Sequence, residues 1–229
     1  MISNTELSIV VPVLNEEAVV QKHLAQVREV APNAELIVVD GGSEDSTCDI
    51  AANFADEVIS ADPGRACQMN AGAKRASGNY ILFLHADTFL PSNFYAVFQE
   101  WQGTAPIWGH LKLRLSGEGF VFRVIETMIN LRTKITDGVT GDQCQIVRAD
   151  AFRDIGEFPN IPLLEDLALS KRLQRVMPSK ILPVEAISSS RRWEERGVLR
   201  TIVLMWVLRI AYTLGVHPRY FSKSYRLCP

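Results

Sequence analysis

Polar side chains follow several apolar segments of the chain, at points where strands of a sheet would end. The first segment leads into Asn15-Glu16, the second into Asp40 and a Gly-Gly pair, and a later one into His85-Ala-Asp87. In open α/β sheets, ligands bind beyond the carboxyl ends of the strands. We therefore expect a ligand site here, with Asp40 accepting hydrogen bonds from a base or a ribose. The alternative is that Asp40 only shapes the glycine turn.

Two further features suit metal and phosphate chemistry. Asp87 would lie on the short loop after an apolar segment, and Mg²⁺ or Mn²⁺ is commonly held by one or two carboxylates together with the phosphates of a substrate. Gly64-Arg65 opens a helical segment, whose free N–H groups, dipole and guanidinium would favour a phosphate. The alternatives are a turn aspartate before a helix that starts near Pro91, and an ordinary helix with one exposed arginine.

Alternating strands and helices are needed to position these residues, and the first half of the chain has that pattern. Hydrophobic periodicity predicts strands at 7–13, 35–40, 57–60 and 80–84, with helices at 16–30, from about 46, and at 65–76. The second half is less regular and predicts strands at 107–115 and 145–148, helices at 120–134 and 165–176, and a polar loop at 136–141. The pattern indicates βαβ units, and hence a Rossmann-like α/β fold with a mostly parallel sheet flanked by helices.

Composition limits the class of protein. The 229 residues, 47% hydrophobic and 22% charged, suit one globular domain, and the net charge of −2 gives no reason to expect nucleic acid as a partner. The four cysteines are scattered and none is at metal-ligand spacing, which indicates reduced thiols. No basic region followed by a long apolar run opens the sequence, so we expect a cytoplasmic protein.

The segment 198–216 is very apolar but contains Arg200 and Arg209. A charge near the middle of a spanning helix costs roughly 2.5–3.5 kcal/mol on insertion scales. The uninterrupted apolar run is also far shorter than the ~20 residues that a span needs. Three interpretations stay open: a core helix, an interfacial helix that contacts a membrane or an acceptor, and a true span.

Four motifs occur in an order that resembles family 2 glycosyltransferases of the GT-A fold. They are Val10-Val-Pro-Val-Leu-Asn-Glu16, Val38-Val-Asp-Gly-Gly-Ser-Glu-Asp-Ser-Thr47, Phe83-Leu-His-Ala-Asp87 and Leu164-Glu-Asp166. The resemblance covers roughly residues 5 to 195. Gly141-Asp-Gln143, Pro162-Leu-Leu-Glu-Asp166 and Ser190-Arg-Arg-Trp-Glu194 also resemble a narrower bacterial subgroup that is linked to arsenosugar biosynthesis.

The resemblance implies a role for individual residues on the donor side. Arg65 would approach the nucleotide, and Asp87 would be the metal-binding residue that closes the family's D-x-D element. The usual first acidic residue of that element is His85 here. His85 is therefore not expected as a metal ligand, and would either touch ribose or phosphate or be structural. The base and ribose would be held by the segment after the first strand and by the aspartate after the second, namely Pro12, Val13, Asn15, Glu16 and Asp40.

The chemistry implied is an inverting, metal-assisted transfer. A divalent cation at Asp87 would neutralise the leaving diphosphate, helped by Arg65 and by Arg191 or Arg192. Asp166 would be the general base that deprotonates the acceptor hydroxyl. Its alternative role is to favour, with Glu165, the N-terminus of the next helix.

The same resemblance implies a place near the acceptor or the diphosphate for five further residues: Asp142, Gln143, Glu165, Arg192 and Trp193. Asp142 is alternatively a turn residue, and Trp193 is alternatively packed in the core.

The resulting prediction is a single GT-A domain over residues 1–229. Residues from about 1 to 105 would form the donor half, about 106 to 195 the acceptor half, and 196–229 an apolar helix and tail. The donor is expected to be a nucleotide sugar, UDP-linked by preference and GDP-linked otherwise, and the acceptor a small molecule or a lipid-linked molecule. The alternatives are a membrane-peripheral polyprenyl-phosphate glycosyltransferase and a non-catalytic nucleotide-sugar-binding protein.

Overall fold

The computed structural model describes residues 5–221 of the chain, apart from the side chain of Arg192. Within this range the strands are β1 (Leu7–Val13), β2 (Glu35–Asp40), β3 (Glu57–Ser60), β4 (Tyr80–Phe83), β5 (Thr88–Phe89), β6 (Trp108–Leu115), β7 (Gln145–Arg148) and β8 (Lys180–Ser188). The helices are α1 (Glu17–Val30), α2 (Thr47–Ala51), α3 (Arg65–Arg75), α4 (Phe94–Gln102), α5 (Phe120–Thr136), α6 (Ala149–Asp154), α7 (Glu165–Leu173), α8 (Arg191–Arg196) and α9 (Val198–Thr213). A 3-10 turn spans Gly141–Gln143.

The described strands form one sheet in the order β3-β2-β1-β4-β7-β6-β8-β5. Neighbours pair in parallel from β3 to β4 and again between β6 and β8. β7 is antiparallel to both β4 and β6, and β5 is antiparallel to β8. Six strands therefore run in one direction, which confirms the predicted α/β class with a mostly parallel sheet.

Helices cover the two faces of the sheet because the central strands are apolar on both faces. In β1, Ile9 and Val11 face a cluster that contains α1 and α4, whereas Val10 faces a cluster that contains α3, α6 and α7. Ile9, Val10 and Val11 are all fully buried. This double coverage explains why β1 and β2 read as short continuous apolar runs. The predicted limits of β1, β2 and β3 agree with the structure.

The strand β8 was not predicted from the sequence. Its residues alternate between buried and exposed, and Pro183 interrupts the run. The ladder with β6 pairs Leu111 with Leu182 and then Lys112 with Glu185, so that two residues bulge out at the proline. Proline has no N–H to donate and is tolerated at such irregularities.

The apolar segment 198–216 forms α9 and the turn that follows it. Thr201 and Leu208 are buried, whereas Leu199 and Trp206 are exposed. Among the helices described between residues 5 and 221, none combines the length and apolar character that crossing a bilayer requires. The helix covers part of the second half of the sheet on one side and presents apolar side chains to solvent on the other.

Candidate active site

The loops after β1 and β2 are joined by hydrogen bonds. Asn15 adopts a left-handed backbone conformation with φ of 53°. Its side-chain oxygen accepts a hydrogen bond from the Glu44 N–H at 2.9 Å, and its own N–H donates to Ser43 Oγ at 2.9 Å. The Glu16 N–H donates to Thr47 Oγ1 at 2.8 Å. The two loops therefore hold each other in place at the carboxyl ends of the strands, where the donor was predicted to bind.

Asp40 shapes the glycine turn after β2. Its carboxylate accepts hydrogen bonds from the Gly42 N–H at 2.9 Å and from the Ser43 hydroxyl at 2.5 Å. Burial raises the pKa of Asp40, but these hydrogen bonds to Ser43 and Gly42 outweigh it and leave the pKa below its ordinary value. Asp40 thus shapes the glycine turn, as the alternative from the sequence proposed. Any contact between Asp40 and a ligand would be made in addition to these hydrogen bonds.

Gln68 of α3 holds the ends of β1 and β2, from which both loops start, by hydrogen bonds. Its side-chain amide is 4% exposed and donates to the carbonyls of Val13 at 2.8 Å and Val39 at 2.9 Å. Gly41 approaches this amide so closely that a Cβ there would lie 3.0 Å from Gln68 Nε2. Sequence reasoning missed Gln68, although a glutamine within the apolar face of a helix is a usable signal of a buried polar contact.

Acidic and basic groups converge beside the loop after β4. The pKa of Glu16 is raised, first by burial and then by the charges of Asp87 and Asp45, while Arg191 and Arg65 oppose the shift. The Asp87 carbonyl accepts a hydrogen bond from the Ser189 N–H at 3.1 Å, which places the start of α8 beside this loop. The structure therefore brings together Glu16, Arg65 and Asp87, three of the predicted site residues.

Asp87 suits a divalent cation by the chemistry of its donor atoms. Its side chain is exposed, and the only described hydrogen bond to its carboxylate is a long one of 3.3 Å from Thr88 Oγ1. No cluster of three or more protein ligands occurs in the described part of the chain. A hard cation held by one carboxylate together with the phosphates of a ligand needs no such cluster. Asp87 therefore fits the predicted role.

Asp166 lies at the start of α7, where two backbone N–H groups orient its carboxylate. Gly141 N donates to Oδ2 at 2.7 Å and Leu167 N donates to Oδ1 at 2.6 Å. Gly141 also packs directly against the His85 ring, because a Cβ at Gly141 would lie 2.2 Å from His85 Cε1. The 3-10 turn thus connects the predicted base with the loop that carries Asp87.

Glu165 is buried beside Asp166, with 3% of its surface exposed. Burial, reinforced by the Asp166 charge, raises the pKa of Glu165 to about 7, and Arg65 lowers it in part. Arg65 therefore lies within electrostatic reach of both Glu16 and Glu165, between the donor-side loops and α7.

Asp142 is accompanied by two arginines that sequence reasoning did not assign to the site. Burial raises the pKa of Asp142, and hydrogen bonding to Thr140 and the charges of Arg132 and Arg209 oppose the shift. The Asp166 charge raises the pKa of Asp142 further, so both carboxylates belong to one cluster with the two arginines. Arg209 lies in the very apolar α9, where a cation was an available signal. Arg132 lies in α5 among other charged residues, which leaves no such signal for it.

The remaining predicted residues lie at the margin of the site or inside the protein. Gln143 is fully buried and accepts a hydrogen bond from Thr133 Oγ1 at 2.9 Å, so its described contacts are structural. Trp193 packs against the apolar cluster of β6 and α5. Pro12 and Val13 end β1, and the Val13 carbonyl is occupied by Gly41 N and Gln68. The Arg192 side chain lies outside the described residues.

Comparison with known sequences points to a single family. The sequence model described as "Glycosyl transferase family 2" matches residues 8–156. A PGL/p-HBAD biosynthesis glycosyltransferase of Mycobacterium bovis is 40% identical over 91 residues, which are 36% of this chain and 36% of that protein. Glycosyltransferase AglE of Haloferax volcanii is 27% identical over 177 residues, 67% of this chain and 56% of that protein. The match thus spans about one third of the mycobacterial protein and a little over half of AglE.

Solved structures of two glycosyltransferases resemble this chain in fold. TarS of S. aureus superposes with a TM-score of 0.67 at 19% identity, covering 87% of this chain and 65% of that one. The mannosyltransferase PcManGT of Pyrobaculum calidifontis, solved with GDP-Man and Mn²⁺, gives a TM-score of 0.67 at 18% identity and covers 97% of this chain and 65% of that one. These likenesses establish the GT-A fold. The family match over residues 8–156 shows that the chain belongs to glycosyl transferase family 2.

Proposed function

We propose that this protein is an inverting glycosyltransferase that moves a sugar from a nucleotide-diphosphate donor to an acceptor hydroxyl. The observation that carries the proposal is the convergence of Asp87, Arg65 and an oriented Asp166 at the carboxyl edge of a GT-A sheet. Residues from about 1 to 105 would bind the donor and about 106 to 195 the acceptor. The motifs near Asp142, Asp166 and Trp193 also lead us to propose the arsenosugar-linked subgroup.

The chain's own residues divide the work between donor and acceptor. A divalent cation, held by Asp87 and the donor phosphates, would supply Lewis-acid neutralisation of the leaving diphosphate. Arg65 would share that negative charge. Asp166 would accept the proton of the acceptor hydroxyl. At the same time the hydroxyl oxygen would bond to the anomeric carbon, and the bond from that carbon to the diphosphate would break. A single displacement with one carboxylate base inverts the anomeric configuration.

Complexes of similar proteins support the choice of donor and metal. TarS has been solved with UDP-GlcNAc and PcManGT with GDP-Man and Mn²⁺. We propose a UDP-sugar as donor, with a GDP-sugar as the alternative, and Mn²⁺ or Mg²⁺ as the cation.

Thermal unfolding with UDP, GDP, CDP and dTDP, each with and without Mn²⁺, tests the donor site. A nucleotide at about a hundredfold excess over its dissociation constant stabilises the protein by about 2.7 kcal/mol. We expect a Mn²⁺-dependent shift with one nucleotide, lost in Asp87→Ala and kept in Asp154→Ala, whose carboxylate is exposed on α6. A wild type that shifts with none of the nucleotides would refute the donor site.

Asp166→Asn separates catalysis from binding. General-base catalysis contributes about 10²–10⁴-fold, so we expect the variant to bind the nucleotide normally and to hydrolyse the matching nucleotide sugar at least about 10²-fold more slowly. Unchanged hydrolysis would exclude Asp166 as the base. A wild type that binds the donor without any turnover would favour the non-catalytic binding protein.

A second candidate is transfer to a polyprenyl phosphate at a membrane surface. The observation that favours it is the exposed apolar face of α9, where Leu199 is 75% and Trp206 is 54% exposed. Flotation of the protein with lipid vesicles tests this peripheral contact, and a protein that stays in the soluble fraction with every vesicle would exclude it.

A further inference from the structure

A cavity of about 360 Å³ lies between α7 and the turn that follows α9. Residues of α7 and of the segment 159–161 line it, and Tyr212 of α9 and residues 215–218 complete the lining. Among the residues described between 5 and 221, no Asp or Glu lines this cavity, whereas four basic side chains do: Lys171, Arg172, Arg175 and His217. We call it the basic cavity. Sites for small molecules have volumes of roughly 300–1,000 Å³, so its size suits a small ligand.

The basic cavity lies on the side of α7 that faces away from the proposed base. Its lining residues Ala168, Lys171, Arg172 and Arg175 are spaced i, i+3, i+4 and i+7, which forms one stripe along a helix. Asp166 precedes Ala168 by two residues, and at roughly 100° per residue it lies about 200° around the helix axis. The basic cavity is therefore distinct from the candidate active site.

The cations of the basic cavity are not neutralised by the protein. None of the ion pairs described between residues 5 and 221 includes Lys171, Arg172 or Arg175. Arg172 Nη1 donates to the carbonyls of Gly156 at 3.0 Å and Glu157 at 2.9 Å, while its Nε and Nη2 donate to no described atom. Most of the donors of the Arg172 fork are therefore available to a ligand.

Stabilisation of the end of α7 does not account for this arrangement. Cations near the C-terminus of a helix interact favourably with the dipole and can bond the last carbonyls. Here the carbonyls of Ser170, Arg172 and Leu173 already accept hydrogen bonds from the backbone N–H groups of residues 174–177. The interaction with the dipole also needs no concave lining. A cleft lined by charges of one sign instead raises the local concentration of counter-ions.

The number and type of these cations suit a phosphate monoester. A phosphate monoester carries about −1.5 to −2 charges at pH 7, whereas a carboxylate carries one. The guanidinium fork matches the oxygens of a phosphate in geometry, and a lysine adds a point charge. Three cations on one helix face therefore match a doubly charged group better than a singly charged one.

The remaining lining suits the carbon skeleton of such a ligand. Lys171 Nζ lies 4.6 Å from the centre of the Tyr212 ring, and Ile161 and Val216 add apolar contact. Burial raises the pKa of the Tyr212 phenol, and the Arg172 charge opposes the shift. The phenol is therefore protonated at neutral pH and can donate a hydrogen bond.

We propose that the basic cavity binds a small organic phosphate monoester. The phosphate is held by Lys171, Arg172 and Arg175, and the carbon skeleton contacts Tyr212 and Ile161. The occupant joins α7 to the turn after α9 and to the segment before α7. This site is separate from the donor site and does not depend on the proposed function.

Calorimetric titration with glucose 6-phosphate, glycerol 3-phosphate, inorganic phosphate and glucose tests the basic cavity. The titrations contain EDTA, so that no metal is present to hold a phosphate at Asp87. We expect the wild type to bind at least one of the two monoesters about tenfold more tightly than inorganic phosphate or glucose, because only a monoester supplies both the charge-assisted hydrogen bonds and the contact of the carbon skeleton. Asp87→Ala should bind the same monoester as the wild type does.

Matched variants test the cations. Lys171 and Arg175 are exposed, so replacing them does not disturb the core. Lys171→Gln and Arg175→Gln should each weaken binding of the monoester about tenfold, and Arg172→Lys should weaken it less than Arg172→Gln, because lysine keeps the charge without the fork. Arg153→Gln removes an exposed cation of α6 outside the cavity and should change nothing. Urea unfolding checks that each variant is folded.

Several outcomes would overturn the site. Equal binding of inorganic phosphate would remove the organic part of the ligand, and equal binding of glucose would remove the phosphate. Binding that both Lys171→Gln and Arg175→Gln leave unchanged, or that Asp87→Ala abolishes, would place the ligand elsewhere. A wild type that binds neither monoester overturns the proposal outright. If it instead binds vesicles that contain phosphatidic acid, and Lys171→Gln abolishes this, the cations serve a membrane surface and not a small molecule.

Discussion

The contact between Gly141 and His85 gives a prediction that couples the two sides of the site. A Cβ at Gly141 would lie 2.2 Å from His85 Cε1 and 2.5 Å from Nε2. Carbon atoms in contact are about 3.5–4.0 Å apart, so in Gly141→Ala the His85 ring or the 3-10 turn has to move by more than about 1 Å. The Gly141 N–H that orients Asp166 lies on the same turn.

The size of the stability loss in Gly141→Ala depends on which neighbouring atoms can move aside. Overpacking a filled site costs about 1–3 kcal/mol, and we expect the lower half of that range, because His85 is a side chain on a loop and can swing away. The effect on turnover should be larger, since a displacement of about 1 Å at a catalytic group can cost about 10²-fold.

Urea unfolding and hydrolysis of the matching nucleotide sugar measure the two effects. Gly103→Ala is the control, because its nearest atom, Glu100 O, would lie at an ordinary 3.4 Å. In the double variant His85→Ala/Gly141→Ala the clash disappears, so we expect about 1 kcal/mol of the lost stability to return. Wild-type stability and turnover in Gly141→Ala, or strictly additive effects in the double variant, would refute the reasoning.

Three further predictions concern the supports of the site. Gln68→Leu removes two buried hydrogen bonds beneath the donor loops and should lower the free energy of unfolding by about 1–3 kcal/mol and weaken nucleotide binding, as urea and thermal-shift titrations would show. Gly72→Ala places a Cβ 2.4 Å from Val10 Cγ1 and should cost about 1–3 kcal/mol in urea unfolding, without a separate effect on the donor. The raised pKa of Glu165 means that the contribution of this group to stability is fully present below the unfolded value near 4.5 and is lost as pH rises through about 7. Glu165→Gln should therefore be more stable than wild type above pH ~7, on the order of 2 kcal/mol, and a difference that stays constant with pH would contradict this assignment.

Those parts of the fold that depend on local pattern were predictable from the sequence. β1 and β2 are continuous runs of buried residues that end at a loop or a glycine pair, and their limits follow directly from composition. β8 could not be predicted, because Pro183 and alternating exposed residues hide a strand whose pairing depends on a bulge opposite Leu111 and Lys112.

The candidate site divides in the same way. The motifs place Asp87 and Asp166 at strand and helix ends, and the structure brings their surroundings together through Arg65, His85 and Gly141. Arg132 and Arg209 carry no motif. These two arginines lie near each other only because α5 and α9, which are distant in sequence, meet in the folded chain. No local sequence pattern could therefore have paired them.

The position of β7 in the sheet has a consequence for the order in which the chain folds. This four-residue strand lies between β4 and β6 and pairs with each through three residue positions. β6 leaves the ribosome before β7, yet it has no place in the sheet until residues 145–148 arrive. We therefore expect a nascent chain stalled before residue 145 to protect the amides of β1, β2 and β4 from hydrogen exchange, while those of β6 still exchange freely.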